Sequence, residues 1–124
     1  MTDLEKVRQD GYSIRYVEFP SLEIQLCVVR QNWNAISYIK NPSEEVQLAA
    51  VRKDWRAIYH INNPSMEVQL EAVRQSGWAI EYINNPSMEI QLAAVQQDWR
   101  VIQFIKKPSE EIQLIVALLK DYND

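Results

Sequence analysis

A chain of 124 residues has room for one domain with its own core, and 47% hydrophobic and 24% charged residues are ordinary values for a globular protein. The net charge of -4 disfavours non-specific attraction to nucleic acid or to an anionic membrane, because both require a basic surface. A single cysteine excludes an intramolecular disulfide, and no stretch is apolar enough to span a membrane, so we expect a cytoplasmic protein.

A fixed repeat organises the chain. All five prolines recur at 22-residue intervals, and each begins the phrase Pro-Ser-x-Glu-(Val/Ile)-Gln-Leu: Pro20, Pro42, Pro64, Pro86 and Pro108. Self-similarity at one period is the signature of a repeat protein, in which each unit buries its apolar face against its neighbours. We expect one helical-repeat domain, residues 1–124, with a partial unit (1–19), four full units (20–41, 42–63, 64–85 and 86–107) and a C-terminal cap (108–124).

Each unit predicts two short helices in succession. The first begins at the proline, whose fixed φ and missing N–H suit the first helical position. The Asn before the proline (Asn41, Asn63 and Asn85) would be its N-cap, and the Ser after the proline is an alternative cap. A second helix of about eight residues follows another column of capping residue types: Asp10, Asn32, Asp54, Ser76 and Asp98.

These patterns predict an all-α fold, an α-solenoid of about five and a half tandem two-helix units. Apolar residues such as Val46, Leu48 and Val51 cover most of the circumference of the first helix, so this helix should be wedged between its neighbours. If the second helix has an α-helical period, its apolar residues lie on one side, with Ile36 facing inward and Trp33 facing outward.

Residue types that carry catalysis are scarce. The only histidine, His60, stands in a column of aromatic residues and should pack as they do: Tyr16, Tyr38, Tyr82 and Phe104. The only cysteine, Cys27, shares a column with Ala49 and should be a small core filler. One His and one Cys cannot supply the usual metal-ligand set, and no phosphate-binding loop or nucleophile elbow occurs. We predict no enzyme activity, no cofactor and no metal.

A glutamine recurs in the first helix of every unit: Gln25, Gln47, Gln69, Gln91 and Gln113. A buried amide must find hydrogen-bond partners, and the nearest unmet groups are the ends of adjacent short helices. We predict an inter-repeat hydrogen-bonded ladder. A column that reads a ligand is the alternative.

One large aromatic residue stands near the start of each second helix, and the α-helical period turns Trp33, Trp55 and Trp99 outward. Trp and Arg anchor protein interfaces, and an exposed aromatic row is costly without a use. We predict a partner-binding face that combines these aromatics with variable neighbours: Trp33, Trp55, Trp78, Trp99, Tyr59, Arg56 and Arg100. The alternative is that each Trp folds over the Pro-Ser loop of the next unit.

A column of arginines could present a basic ridge to a phosphate backbone, which makes nucleic-acid binding an alternative function: Arg8, Arg30, Arg52 and Arg74. Each arginine shares its polar edge with a glutamate such as Glu45, so a charge-balanced, solvated face is the expected structure. A structural fragment of a larger repeat array, with no partner of its own, is a further alternative.

The last helix becomes apolar on the edge where earlier helices are polar. Leu118 stands where they have Arg or Gln, with Ile115 and Leu119 in neighbouring columns. Terminal repeats normally carry a polar outer face. We expect a homodimer that buries Ile115, Leu118 and Leu119 about a two-fold axis, the commonest symmetry. The alternative is that the residues after Lys120 curl back over this stripe.

The phrase Asn-Pro-Ser-x-Glu-(Val/Ile)-Gln-Leu-x-Ala-Val, followed by Ala-Ile-x-Tyr-Ile, resembles a short helical repeat of unknown function found in phage, giant-virus and intracellular-bacterium proteins. The resemblance covers residues 4–118 and implies an α-helical repeat with no catalytic residues. It also implies a role in interaction with a host, such as an inhibitor that occludes a host defence protein in the cytoplasm of a bacterial or infected cell. Trp33, Trp55 and Trp99 depart from the glycine that this family typically has before the second helix.

Overall fold

The computed structural model describes residues 1–123, and within this range the chain forms helices and no strand, which confirms the all-α prediction. Six α-helices alternate with five 3₁₀ helices, labelled η: α1 (Asp3–Gln9), η1 (Gly11–Tyr16), α2 (Leu22–Gln31), η2 (Trp33–Tyr38), α3 (Glu44–Lys53), η3 (Trp55–His60), α4 (Met66–Gln75), η4 (Gly77–Tyr82), α5 (Met88–Gln97), η5 (Trp99–Phe104) and α6 (Glu110–Asn123). None of these described helices is long and apolar enough to cross a membrane.

The helices stack in two rows with the core between them. Each α-helix packs against the α-helices before and after it, and each 3₁₀ helix packs against the α-helix of its own unit and that of the next. Among the described elements, none contacts an element two units away. The core is a ladder of fully buried aliphatic residues, one or two from each row in each unit: Ile14, Ile36, Ile58 and Ile80 from the 3₁₀ row, and Val29, Val51, Val73 and Val95 from the α row. This architecture is the predicted α-solenoid.

The second helix of each unit is a six-residue 3₁₀ helix, not the α-helix of about eight residues that the sequence predicted. A 3₁₀ helix rises about 2.0 Å per residue, so six residues span about 12 Å. The ten-residue α-helix of the same unit spans about 15 Å. Six residues wound as an α-helix would span only about 9 Å, so the tighter helix lets a short segment cover its longer neighbour.

The serines, not the asparagines, cap the α-helices. The hydroxyl of Ser43, for example, accepts a hydrogen bond from the Val46 N–H, and the other four Pro-Ser phrases repeat this cap. The prediction that the helix begins at the proline with an Asn N-cap is therefore wrong, because the helix begins after the serine, and the Ser alternative is confirmed. Asn41, Asn63 and Asn85 instead adopt left-handed backbone conformations with φ of 47–50°, a region that Asn tolerates better than most residues. Lys107 takes the same conformation in the last full unit.

Candidate functional site

The 3₁₀ helices have three residues per turn, and this period decides which side chains face outward. The first and fourth residues share one ridge, so Trp55 lies in line with the buried Ile58 and is itself half-buried. The second and fifth residues form the outward ridge, so Arg56 and Tyr59 are exposed. The prediction that Trp33, Trp55 and Trp99 lie on the outward face is therefore wrong, because it assumed an α-helical period.

All four tryptophans are half-buried against the core, and we call them the tryptophan seam: Trp33, Trp55, Trp78 and Trp99. The Arg56 guanidinium of the following unit lies 5.2 Å from the centre of the Trp33 ring, and the Lys120 ammonium lies 5.1 Å from that of Trp99. Trp78 donates from Nε1 to Asp98 Oδ2 at 3.1 Å and meets the ring of Phe104 edge-on. These contacts cover the rings from solvent, so the seam joins neighbouring units.

Arg56 and Arg100 are exposed as predicted, but each is already engaged by the carboxylate that caps its own 3₁₀ helix. Arg56 donates to Asp54 at 2.9 and 2.6 Å, and Arg100 donates to Asp98 at 2.9 and 2.8 Å. The Arg100 side chain, together with the Arg100 N–H and the Trp78 indole, lowers the pKa of Asp98 to about 2. Arg56 likewise lowers the pKa of Asp54. Both arginines are therefore paired with a carboxylate rather than free cations, and Arg56 also lies over the ring of Trp33.

Because of this pairing, the free energy of unfolding depends on pH through the ionisation of Asp98. The folded pKa is below the unfolded value of about 3.9, so the stabilisation is present above pH 4 and is lost as the pH falls through about 2. We expect Asp98→Asn to lower the Tm by several degrees at pH 6, with the gap to the parent narrowing below about pH 4.

Asp54→Asn is the matched control for that measurement. Asp54 makes the same arginine pair and the same helix cap, but it accepts no indole N–H. Asp54→Asn should therefore lower the Tm at pH 6 by less than Asp98→Asn does. A gap for Asp98→Asn that stays constant from pH 6 to pH 2 would contradict the assignment.

Five of the exposed aromatic residues stand at the sixth position of the 3₁₀ helices or close to it, whereas Tyr122 lies on α6. Tyr16 is 78% exposed and Tyr59 is 68% exposed, and Phe19, Tyr38 and Tyr82 also face solvent. We call these five residues the 3₁₀ face. The sequence predicted a packing position for the column of Tyr16, Tyr38, His60, Tyr82 and Phe104, and this is wrong for all but the half-buried Phe104. The exposure of this column does not follow from a three-residue period, because third-position residues on the same ridge, such as Ala57, are fully buried.

Four of the five rings of the 3₁₀ face, all but Phe19, contact another ring or a cation in the structure. The Arg15 guanidinium lies 4.9 Å from the centre of the Tyr16 ring and 5.9 Å from that of Tyr38. Tyr38 also meets the edge of Tyr12, whose hydroxyl donates to Asn34 Oδ1 at 3.1 Å. Further along, Tyr59 meets the edge of Tyr82 with ring centres 5.4 Å apart. The face is therefore pre-ordered, because each exposed tyrosine cluster spans two consecutive units.

Equivalent grooves run between units beside η1, η3 and η4, each with a volume of 640–680 Å³. The floor of each groove holds the Pro and the Gln of one Pro-Ser phrase, such as Pro64 and Gln69. One wall is the aromatic residue that ends the next 3₁₀ helix: Tyr38, Tyr82 or Phe104. Exposed amides of Asn62 and Asn84 stand at the rim of the central groove. The face thus alternates aromatic ridges with polar-floored grooves at the period of the repeat.

Each glutamine of the column forms a hydrogen bond within its own unit. Each side chain donates from Nε2 to the carbonyl of the proline five residues earlier at 2.9–3.0 Å: Gln25, Gln47, Gln69, Gln91 and Gln113. The predicted inter-repeat ladder is therefore wrong in its partners. The proline carbonyl precedes the α-helix and has no helical N–H to accept from, and the glutamine in the next turn is the nearest donor.

The remaining sequence candidates lie elsewhere. Arg30, Arg52 and Arg74 are exposed on the α row, where Arg52 lies 3.9 Å from Glu71 of the next unit. His60 is exposed with its ring edge-on to Tyr59, and Cys27 is half-buried in the α row. Within residues 1–122, no group of three His, Cys, Asp or Glu side chains is placed to hold a metal ion.

Comparisons of the chain with protein-family models, with curated proteins and with solved structures found no match.

Proposed function

We propose that this chain is a non-enzymatic protein-binding module that uses the 3₁₀ face. The observation that carries the proposal is the run of exposed aromatic residues along one row of the solenoid, with Tyr16, Phe19 and Tyr59 the most exposed of the five. Tyr59 and Tyr82 meet edge-on, and Arg15 lies against both Tyr16 and Tyr38. Tyrosine supplies a large contact area at low conformational-entropy cost, and rings held before binding lose little further freedom. A continuous row of such side chains on a rigid repeat is the arrangement that recognises a protein surface.

The grooves indicate what shape of partner the 3₁₀ face would bind. Equivalent grooves lie beside η1, η3 and η4, so a partner segment running along the row can place successive side chains into the adjacent grooves of η3 and η4. The rim amides of Asn62 and Asn84 can hydrogen-bond the backbone of that segment. The module then acts by occlusion, because it covers a surface of its partner and needs no chemistry of its own. The origin of the repeats that it resembles favours a host defence protein as the partner and the cytoplasm as the place of action.

Quantitative capture of a partner protein from lysate tests whether the 3₁₀ face is the binding surface. The immobilised parent is compared with a triple variant that removes its most exposed rings, Tyr16→Ala, Phe19→Ala and Tyr59→Ala. We expect the variant to retain roughly a tenth or less of the captured partner, because aromatic anchors dominate binding energy. Circular dichroism should show unchanged helicity, since all three side chains are exposed.

The matched control removes three exposed apolar side chains from the α row: Leu22→Ala, Met66→Ala and Met88→Ala. This control should capture the partner as the parent does. Equal loss in both variants, or equal capture by both, would reject the 3₁₀ face. Loss of the parent's capture after nuclease treatment, or a steep fall with salt, would instead support nucleic-acid binding through the arginine column.

A further inference from the structure

Helix α6 departs from the repeat on the side that faces away from the other units. It runs for 14 residues where α2 to α5 have ten, and Lys120 replaces the residue that caps the next 3₁₀ helix in earlier units. Leu114 is 62% exposed, whereas Leu48 at the same position of α3 is 8% exposed. Leu118, at 61%, stands where earlier units have Arg30, Arg52, Arg74 and Gln96. We call Leu114, Ala117, Leu118 and Tyr122 the distal face.

The distal face differs from the stripe that the sequence predicted. Ile115 and Leu119 are half-buried, and Leu119 lines a groove with Trp99 of η5, so both turn towards the preceding unit. Leu118 is the member of the predicted stripe that faces away. The helix continues straight to Asn123, and Tyr122 is exposed, so the residues from Lys120 to Tyr122 do not curl back over the leucines. Asp124 lies outside the described residues.

The opposite end of the solenoid does not complement this face. Thr2, which caps α1, and Lys6 of α1 are exposed at the two positions where α3 buries Val46 and Ala50 completely. A head-to-tail contact would therefore bury Lys6 against leucine without a partner, which is costly. The polar N-terminal end thus disfavours a growing filament and leaves self-pairing of the distal face.

Charge sets the direction of that pairing. Glu110 and Glu111 are exposed in the first turn of α6, and Lys120 and Asp121 lie in its last turns. A parallel pair would set four carboxylates of the two first turns against one another. An antiparallel pair moves them to opposite ends and brings Lys120 within reach of the other copy's first turn. Because Asp121 adjoins Lys120, the gain is avoided repulsion rather than a strong ion pair.

We propose that the distal face binds the same face of a second copy of the chain, with the two α6 helices antiparallel about a two-fold axis. In this register Leu114 of one copy meets Leu118 of the other, and the axis passes midway between these two residues, one residue before Ala117. The small side chain of Ala117 permits close approach of the two helices. The dimer leaves the 3₁₀ face of both copies open, so each dimer carries two copies of that face.

Sedimentation or light scattering of the full chain from about 1 µM to about 200 µM tests the pairing. The parent should approach a plateau at twice the 14.6 kDa mass of one chain. Leu118→Arg installs the residue that Arg30, Arg52 and Arg74 already hold on a helix surface, so the fold should survive while dimer affinity falls roughly tenfold or more.

Gln96→Arg makes the same substitution at the same position one unit earlier, where the side chain is exposed but outside the distal face. This variant should dimerise as the parent does. A parent that stays monomeric at the highest concentration would overturn the proposal. A dimer that Leu118→Arg leaves intact, or association that continues beyond two copies, would overturn it as well. None of these results depends on whether the 3₁₀ face binds a partner.

Discussion

Replacing Gly77 by alanine should destabilise the protein by about 3 kcal/mol, although the substitution adds a single methyl group. Gly77 begins η4, and a Cβ at this residue would lie 2.6 Å from the carbonyl oxygen of Ala94 in α5. The position of the Cβ is fixed by the backbone of residue 77 and the oxygen belongs to the backbone of Ala94, so no side-chain rotation relieves the clash and the two helices must move apart. The glycine has no positive φ, so the whole cost comes from this close approach.

Gly11→Ala is the matched control, because Gly11 begins η1 at the same position of the repeat. The nearest atom to its added Cβ is Asn32 Cβ at 3.6 Å, an ordinary contact, and its φ is not positive either. This substitution should be neutral or slightly stabilising, since alanine restricts the unfolded chain. Urea unfolding of both variants measures the difference. Equal free energies of unfolding would show that η4 and α5 are not held as closely as the structure has them.

The requirement for glycine at residue 77 accompanies a change in how units join. Where the first residue of the 3₁₀ helix is Trp, as in Trp33, the indole occupies the seam and the next unit lays a cation over it. Where the first residue is Gly, the aromatic moves to the second position and hydrogen-bonds to the next unit, as Tyr12 does to Asn34 and Trp78 does to Asp98. Both arrangements join an aromatic side chain to the next unit, so the choice of Trp or Gly at the first position is part of how the units pack.

The repeat could be predicted from the sequence because proline and serine act locally. A proline at a fixed interval, a serine that caps the following turn and a helix apolar on most sides each have one structural meaning at short range. The role of the asparagine before the proline is harder to predict, because Asn is favoured both as an N-cap and in the left-handed conformation. Only the path of the chain into Pro42 shows that Asn41 takes the second role.

The position of the candidate site could not be predicted because a six-residue helix is too short to reveal its period. In η2, the buried residues Ala35, Ile36 and Ile39 fit an α-helical period as well as a 3₁₀ period. The two periods differ most for Trp33, which an α-helical period turns outward and a three-residue period aligns with the buried Ile36. The choice between them follows from the length of the neighbouring α-helix, a property of the stacked units rather than of the segment.

Replacing Gln69 by leucine should lower the free energy of unfolding by about 1–2 kcal/mol. The half-buried Gln69 donates from Nε2 to the Pro64 carbonyl at 2.9 Å, and leucine leaves that carbonyl without its donor. Gln113 makes the same bond to Pro108 at 2.9 Å, but it is exposed on α6, so water can replace its amide when it is removed.

Gln113→Leu therefore separates the effect of burial from the effect of the hydrogen bond itself. Urea unfolding of the two variants beside the parent should place Gln113→Leu within a few tenths of a kcal/mol of the parent and Gln69→Leu well below it. The experiment should use a protein concentration low enough to keep the chain monomeric, since Gln113 adjoins the distal face. Equal losses in the two variants would show that burial does not set the strength of the bond. A Gln69→Leu variant as stable as the parent would show that the proline carbonyl needs no protein donor, and the recurring glutamine would then have no role in holding each unit closed.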